Sequence, residues 1–279
     1  MLTDVDGIEV GHWTDPVART GCTVVLLPDG AVTAGEVRGG AASTRGFSAL
    51  VPGRGSGRLD AIVLAGGSAF GLAACDGVVG WLEAHGRGYP IAGGVVPLVA
   101  GMILFDLRVG DGSVRPTAAS GFAACDDAGP GAFAAGAVGA GTGCTIDKWR
   151  GDAHRRQGGL GTATLRHGDL VVSALIACNA WGGLRDGSAH PPVDLVPSPV
   201  EHTTIGVVAT NASIDKVGCW VVAQQSHDGL ARALDPVHTA ADGDALVAVS
   251  VGHVPATVTT VGTLAARAVE IATRAACAS

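Results

Sequence analysis

Lysine is almost missing from this chain: Lys148 and Lys216 are its two lysines, against 16 arginines in 279 residues. Aromatic residues make up 4%, with a single tyrosine, and charged residues 15%. So little charge is not the excess of a disordered chain. A net charge of −7 with no basic run longer than Arg155-Arg156 argues against a nucleic-acid partner. No apolar stretch of membrane-spanning length is free of breaks. The nearest, 91–107, is interrupted by Pro97 and several glycines, so no membrane association is expected. The N-terminus MLTDVDGIEVGH has neither a basic leader nor an apolar core segment, so no secretory signal is expected. The seven cysteines are scattered and form no CxxC pair. That pattern is not a disulfide framework and reads as reduced core thiols of a cytoplasmic protein.

Short catalytic and cofactor motifs are missing too. There is no GxxxxGK[ST] and no HExxH, and Gly139-Ala140-Gly141-Thr142-Gly143 does not fit GxGxxG between a strand and a helix. Gly66-Gly67-Ser68-Ala69-Phe70 lacks the last glycine of a nucleophile elbow. No cofactor is expected.

What the chain has in abundance is apolar surface and glycine: 47% hydrophobic residues and 44 glycines. That composition can bury a large core, with tight turns and closely packed layers. Apolar runs at 22–27 and 31–37 flank Pro28-Asp29-Gly30 and predict a strand–turn–strand unit. A short buried strand is expected at 60–65. A helix should follow from Ser68, its N-cap, to about His85, and a second over 116–127 behind Pro116. Runs 160–166 and 170–178 flank His167-Gly168-Asp169 as a second hairpin. A proline-rich connector, 184–202, leads to a strand at 203–210. A helix at about 213–234, a strand at 244–251 and a helix at about 257–277 complete the chain.

Three places could carry chemistry. Thr203 opens an apolar, β-branched run directly after the connector. Cut before Thr203, the chain would gain an α-amine beside a hydroxyl, a recurring nucleophile–base pair. Taken alone, the segment favours an ordinary strand start. Asp242 and Asp244, two apart on the expected strand, would share a face. There they could bind an ammonium, tune an amine, ligate a metal or simply form a solvated D-G turn. Lys148 and Asn179 are polar residues in Gly-rich or apolar surroundings. A buried Asn amide must find partners or cost about 1–3 kcal/mol. It could serve an oxyanion or bond a neighbouring loop.

The same residues sit in blocks that resemble the self-processing L-aminopeptidase/D-esterase family, which includes β-peptidyl aminopeptidases and the nylon-oligomer hydrolase. The blocks are Val10-Gly11-His12, ARTGCTVVL at 18–26, VRGGAASTR at 37–45, LAGGSAFGLAACDGV at 64–78, ILFDL at 103–107, GAGTGCTIDK at 139–148, CNAWG at 178–182, TTIGVVATNASIDK at 203–216 and HDGLARALDPVHTAADGD at 227–244. The resemblance covers nearly the whole chain. It implies a single-domain α/β fold, a four-layer αββα sandwich of the N-terminal-nucleophile kind. It further implies self-cleavage between His202 and Thr203 into 1–202 and 203–279, and a homo-oligomer of processed units. By the same resemblance Thr203 is the nucleophile, Asn179 the oxyanion donor, Lys148 the active-site lysine and Asp242 and Asp244 the acidic pair. The substrates would be small peptides, amides or esters with a free amine. Two positions depart from the pattern: His202 stands where relatives commonly carry Asn or Gly, and Phe105, a substrate-side residue, stands where some carry Tyr. The rival readings are an acyltransferase using the same Thr203, a metal-dependent hydrolase with His227, Asp228, His238, Asp242 and Asp244 as ligands, and an uncleaved, non-catalytic member of the family.

Overall fold

A computed structural model describes residues 1–55, 57–185 and 201–278. In its first half lie strands β1 (Glu9–Asp15), β2 (Thr20–Leu26), β3 (Val32–Val37), β4 (Thr44–Arg45) and β5 (Ala61–Ala65), then α1 (Ala74–Ala84), β6 (Val99–Ile103) and α2 (Ala118–Asp126). The second half supplies β7 (Gly159–His167), β8 (Leu170–Asn179), β9 (Thr203–Ala212), α3 (Lys216–Ala233), β10 (Ala245–Val254) and α4 (Val258–Ala276). Ten strands form two sheets, in the orders β1-β2-β5-β6-β4 and β7-β8-β9-β10-β3. Each sheet pairs two parallel inner strands, β5 with β6 and β9 with β10, and all its other pairings are antiparallel. Those parallel pairs require crossovers, which α1 and α3 provide.

Three apolar layers hold the sheets and helices together. Between the sheets pack Val25, Ile62, Leu64 and Met102 from one side and Leu175, Ile205, Val207 and Val247 from the other. Val24, Val63 and Ala65 turn instead toward Val78 and Leu82 of α1 and Ala124 of α2. Ile176, Val208 and Leu246 meet Val222 and Leu230 of α3 and Ala265 and Val269 of α4. The result is four layers, helix–sheet–sheet–helix. Because both faces of the inner strands are covered, β5, β8 and β9 are buried at every residue. They therefore read in the sequence as largely apolar runs with a few buried polar residues rather than as alternation.

The 160–178 hairpin forms as expected, with Gly168 at φ +58° in its turn. The Pro28-Asp29-Gly30 hairpin does not. β2 is flanked by β1 and β5 in one sheet, and β3 is the edge of the other beside β10, so the turn carries the chain across the sandwich. The helix from Ser68 also begins differently. A 3₁₀ segment, Ser68–Ala73, precedes α1, and no side chain of its own caps it. Asp106 takes that role from a distance, accepting from the Gly67 N–H at 2.7 Å and from Thr20 Oγ1 at 2.7 Å. The 184–202 connector falls mostly on residues 186–200, which lie outside the described residues.

Glycine lets the helices approach closely. A Cβ on Gly229 of α3 would lie 2.2 Å from the Ala266 carbonyl oxygen of α4, whereas one on Gly80 of α1 would meet nothing within 4 Å. Helix propensity alone favours Ala over Gly by about 1 kcal/mol at both sites. We expect Gly80→Ala to stabilise the protein by about 0.5–1 kcal/mol. Gly229→Ala should destabilise it by about 1–3 kcal/mol through overpacking. Urea denaturation of the two variants checks the contrast.

Candidate active site

Thr203 is the first residue of β9 and pairs directly with Asn179, the last residue of β8. Along β9, Ile205 and Val207 point between the sheets while Val208 points to the helices. Strand alternation therefore turns Thr203 toward the space between the sheets and Thr204 toward the helix layer. Both residues are buried.

The backbone before Thr203 is held by the loop that leads into β10. His202 forms a parallel bridge with Asp242, and the Gly243 N–H donates to the His202 carbonyl oxygen at 2.8 Å. The Thr203 hydroxyl donates to the same carbonyl. A Cβ on Gly243 would sit 2.6 Å from Thr203 Oγ1, so no other residue fits there without displacing the hydroxyl. The nucleophile candidate is thus pressed against its own preceding peptide carbonyl, and that carbonyl already accepts a backbone N–H. This geometry suits an N-to-O acyl shift: the hydroxyl adds to the His202 carbonyl carbon, and the N–H steadies the charge growing on its oxygen.

Asp242 and Asp244 flank Gly243 in this loop, ahead of β10 rather than on it. They do not share one open face. Asp242 accepts from the Trp181 N–H at 3.1 Å and from Thr239 Oγ1 at 2.6 Å. Asp244 accepts from the Thr204 N–H at 2.7 Å and, through its other oxygen, from His238 Nδ1 at 2.8 Å. Asp244 therefore clamps the backbone next to Thr203, and Asp242 the backbone just past Asn179 on the facing strand. The loop itself is gripped from behind by the segment after β3: the Arg38 and Gly39 N–H groups donate to the Asp244 carbonyl, and that of Ala41 to the Asp242 carbonyl. Burial, and secondarily the like charge of Asp244, pushes Asp242 up to about 6.

Lys148 lies in a 3₁₀ turn, Lys148–Arg150, behind Asp147 at φ +63°. Its Nζ donates to both the backbone oxygen and Oδ1 of Asn179, each at 2.9 Å. Burial lowers this lysine to about 8, so near neutral pH its ammonium is only weakly held. The Asn179 amide is fully engaged in the intact chain. Its Oδ1 accepts from the Thr145 N–H at 2.9 Å as well as from Lys148, and its Nδ2 donates to the Phe105 carbonyl at 2.7 Å. The donor on the His202 carbonyl is therefore Gly243, a residue the sequence reading passed over as part of a turn. Outside this core a cavity of about 350 Å³ is lined by Phe105, Arg108, Lys148, Trp149, Trp181 and His202, among others.

A model of peptidase family S58 matches residues 1–279. The chain belongs to that family. It is 43% identical to an uncharacterized aminopeptidase of Mycobacterium leprae, over 92% of this chain and 80% of that protein. It is 31% identical to a 6-aminohexanoate-oligomer endohydrolase of Agromyces sp., over 90% of this chain and 75% of that protein. Among solved structures, a Burkholderia sp. beta-aminopeptidase aligns with a TM-score of 0.76 at 25% identity, covering 99% of this chain and 85% of that one. The L-aminopeptidase D-Ala-esterase/amidase of Ochrobactrum anthropi, described as a variant of the Ntn hydrolase fold, aligns with a TM-score of 0.75 at 21% identity, covering 98% and 84%. This S58 chain has that sandwich.

The residues of the metal reading come together only in part. The His227 and His238 rings meet edge to face with centroids 4.8 Å apart and His238 bonds Asp244, whereas Asp228 is exposed and faces Arg38 and Asp242 is engaged by Trp181 and Thr239. Among the described residues no group of three or more His, Cys, Asp or Glu is placed to hold a metal ion, and no helix is long and apolar enough to cross a membrane.

The raised Asp242 yields a sign-definite expectation. Its folded value, about 6, lies above the ordinary 3.8, so the native state holds this proton more tightly than the unfolded chain. The resulting stability is complete below the ordinary value and is lost as pH rises through about 6. In a Thr203→Ala background, stability relative to Asp242→Asn should fall by about 2–3 kcal/mol between pH 4 and 7. Urea titrations of both proteins across that range measure it. A difference that does not change with pH would mean that Asp242 is ionised throughout.

Proposed function

We propose that this S58 chain is a self-processing N-terminal-nucleophile hydrolase that acts on amide or ester bonds adjoining a free amine. The observation that carries the reading is the Thr203 hydroxyl held on the His202 carbonyl while Gly243 donates to the same oxygen. In the first stage Thr203 Oγ1 adds to the His202 carbonyl carbon, and its proton passes to the Thr203 nitrogen as the C–N bond breaks. The ester that results is hydrolysed by water. A His202 carboxylate then ends one fragment, and a free Thr203 amine begins the other.

In the second stage that amine is the base. Its ordinary value is about 7.7–8.0. The Lys148 ammonium on the paired strand end would push it down and the two carboxylates would push it up. The acyl carbonyl of a substrate takes the place that the His202 carbonyl held, on the Gly243 N–H. Asn179 lies across from Thr203 and serves as a second donor once its Nδ2 turns from Phe105. The names of the relatives support the substrate class: an uncharacterized aminopeptidase, a beta-aminopeptidase and a 6-aminohexanoate-oligomer endohydrolase are all named for cleavage of amide bonds.

Intact mass and N-terminal sequencing of the purified protein test the reading. We expect fragments 1–202 and 203–279, the second beginning Thr-Thr-Ile-Gly. Thr203→Ala should remain whole and inactive, Thr203→Ser should still cut, and Thr204→Ala, whose side chain faces the helices, should cut as well. Gly243→Ala keeps the N–H but puts a Cβ 2.6 Å from the Thr203 hydroxyl, so it should slow cutting by displacing the nucleophile, at a cost of about 10²-fold for a shift of that kind. Equal failure of the Thr203 and Thr204 variants in folded proteins, or a parent chain that never cuts, would overturn the assignment.

A further inference from the structure

Self-cleavage makes residue 202 the first acyl group this enzyme handles, so the surroundings of its side chain outline the acyl subsite. The His202 ring is 5% exposed and lies nearly parallel to that of Trp181, with centroids 6.2 Å apart and planes at 16°. Trp181 is itself 7% exposed, and its main chain is tied to the site because its N–H donates to Asp242. The ring and the wall therefore form one flat slot whose position relative to the scissile carbonyl is fixed. Beyond it the cavity continues past Phe105 and Trp149, which leaves room for rings larger than imidazole.

The slot also has a charge preference. The slot and the cavity beyond it carry Arg108, Lys148, Arg150 and Arg155 against Asp152 and Glu201, the last paired with Arg108 at 2.7 Å, so cations outnumber anions. Burial first, and then Lys148 and Arg108, lowers the His202 imidazole to about 3, so the ring seated there is neutral.

We propose that the acyl subsite of the mature enzyme is a flat slot walled by Trp181 that selects substrates whose acyl residue carries a neutral planar ring. Such residues are phenylalanine, tyrosine, tryptophan and uncharged histidine, whereas lysine and arginine side chains are disfavoured by Lys148 and Arg108. This rests on the hydrolase reading above. Once fragment 1–202 withdraws its terminal His202 from the slot, an incoming acyl residue must put its side chain where the imidazole was, because its carbonyl takes the same N–H. Stacking on an aromatic wall and burial of a ring favour this class over a methyl group.

The test uses the processed protein and the p-nitroanilides of L-phenylalanine, L-histidine, L-alanine and L-lysine. At pH 8, kcat/KM should be about tenfold or more higher for the phenylalanyl than for the alanyl compound, with the lysyl compound lowest. Trp181→Ala should bring the phenylalanyl-to-alanyl ratio toward one, and Trp181→Phe should restore part of it. A ratio that is the same with and without the Trp181 ring, or a parent that prefers alanine, overturns the slot and leaves the hydrolase standing. An uncut chain that hydrolyses none of the four overturns the hydrolase reading, and the slot with it. Self-cleavage gives a second readout should Trp181→Ala not fold: the precursor with His202→Phe should cut faster than the one with His202→Ala. Equal rates of cutting in those two precursors overturn the slot.

Discussion

The alignment of β9 with its two neighbours is the constraint on which the site depends. β8 brings Asn179 opposite Thr203, and the parallel partner β10 delivers the loop whose Gly243 N–H reaches the His202 carbonyl. Strand side chains alternate, so a slip of one residue would turn Thr203 to the helix layer and carry its neighbours away from the loop. The slip is blocked by the cores. Ile205 and Val207 fill the space between the sheets, and Val208 fills the space beneath the helices. Burial on both faces thus fixes the register, and the register fixes the chemistry.

Charge at the site is arranged by backbone more than by pairing. Asp242 and Asp244 are buried and bond main-chain N–H groups, while Lys148 is buried and bonds Asn179 oxygens. A carboxylate that accepts backbone N–H groups cannot swing away, so it also acts as a rigid strut. The pair therefore positions the start of β9 as well as setting the local field. The glycines of the VRGG segment belong to the same construction: a Cβ on Gly39 would lie 2.3 Å from the Asp242 carbonyl oxygen and from the Asp244 nitrogen, so glycine is the residue that lets the segment grip the loop.

Elements with a complete local signal were legible in the sequence. The 160–178 hairpin, the strand opening at Thr203 and the closing helices combine periodicity with turn residues or caps that act within a few positions. Features that needed a distant partner were not. Pro28-Asp29-Gly30 does mark a turn, but no local residue says that β3 will join the other sheet. Ser68 looks like a helix cap, yet Asp106 supplies the hydrogen bonds. At the site, Lys148 and Asn179 stood out as polar residues in apolar runs, and the structure brings them into contact. Their roles came from the resemblance alone. Gly243 was read as half of a turn dipeptide because its true demand, the Thr203 oxygen beside it, comes from a residue 40 positions earlier.

The second sheet carries one more implication. β9 and β10 lie side by side inside it, while β8 and β3, which flank them, come from the segment before residue 203. A cut at 202–203 leaves every one of these ladders in place, so the two pieces remain woven through shared strands with no covalent link. Before assembly the same arrangement is a hazard, because either piece alone presents long open strand edges to other chains. The proposed scission would therefore be safe only after the sandwich has closed, because the open edges of either piece would otherwise template pairing with other chains.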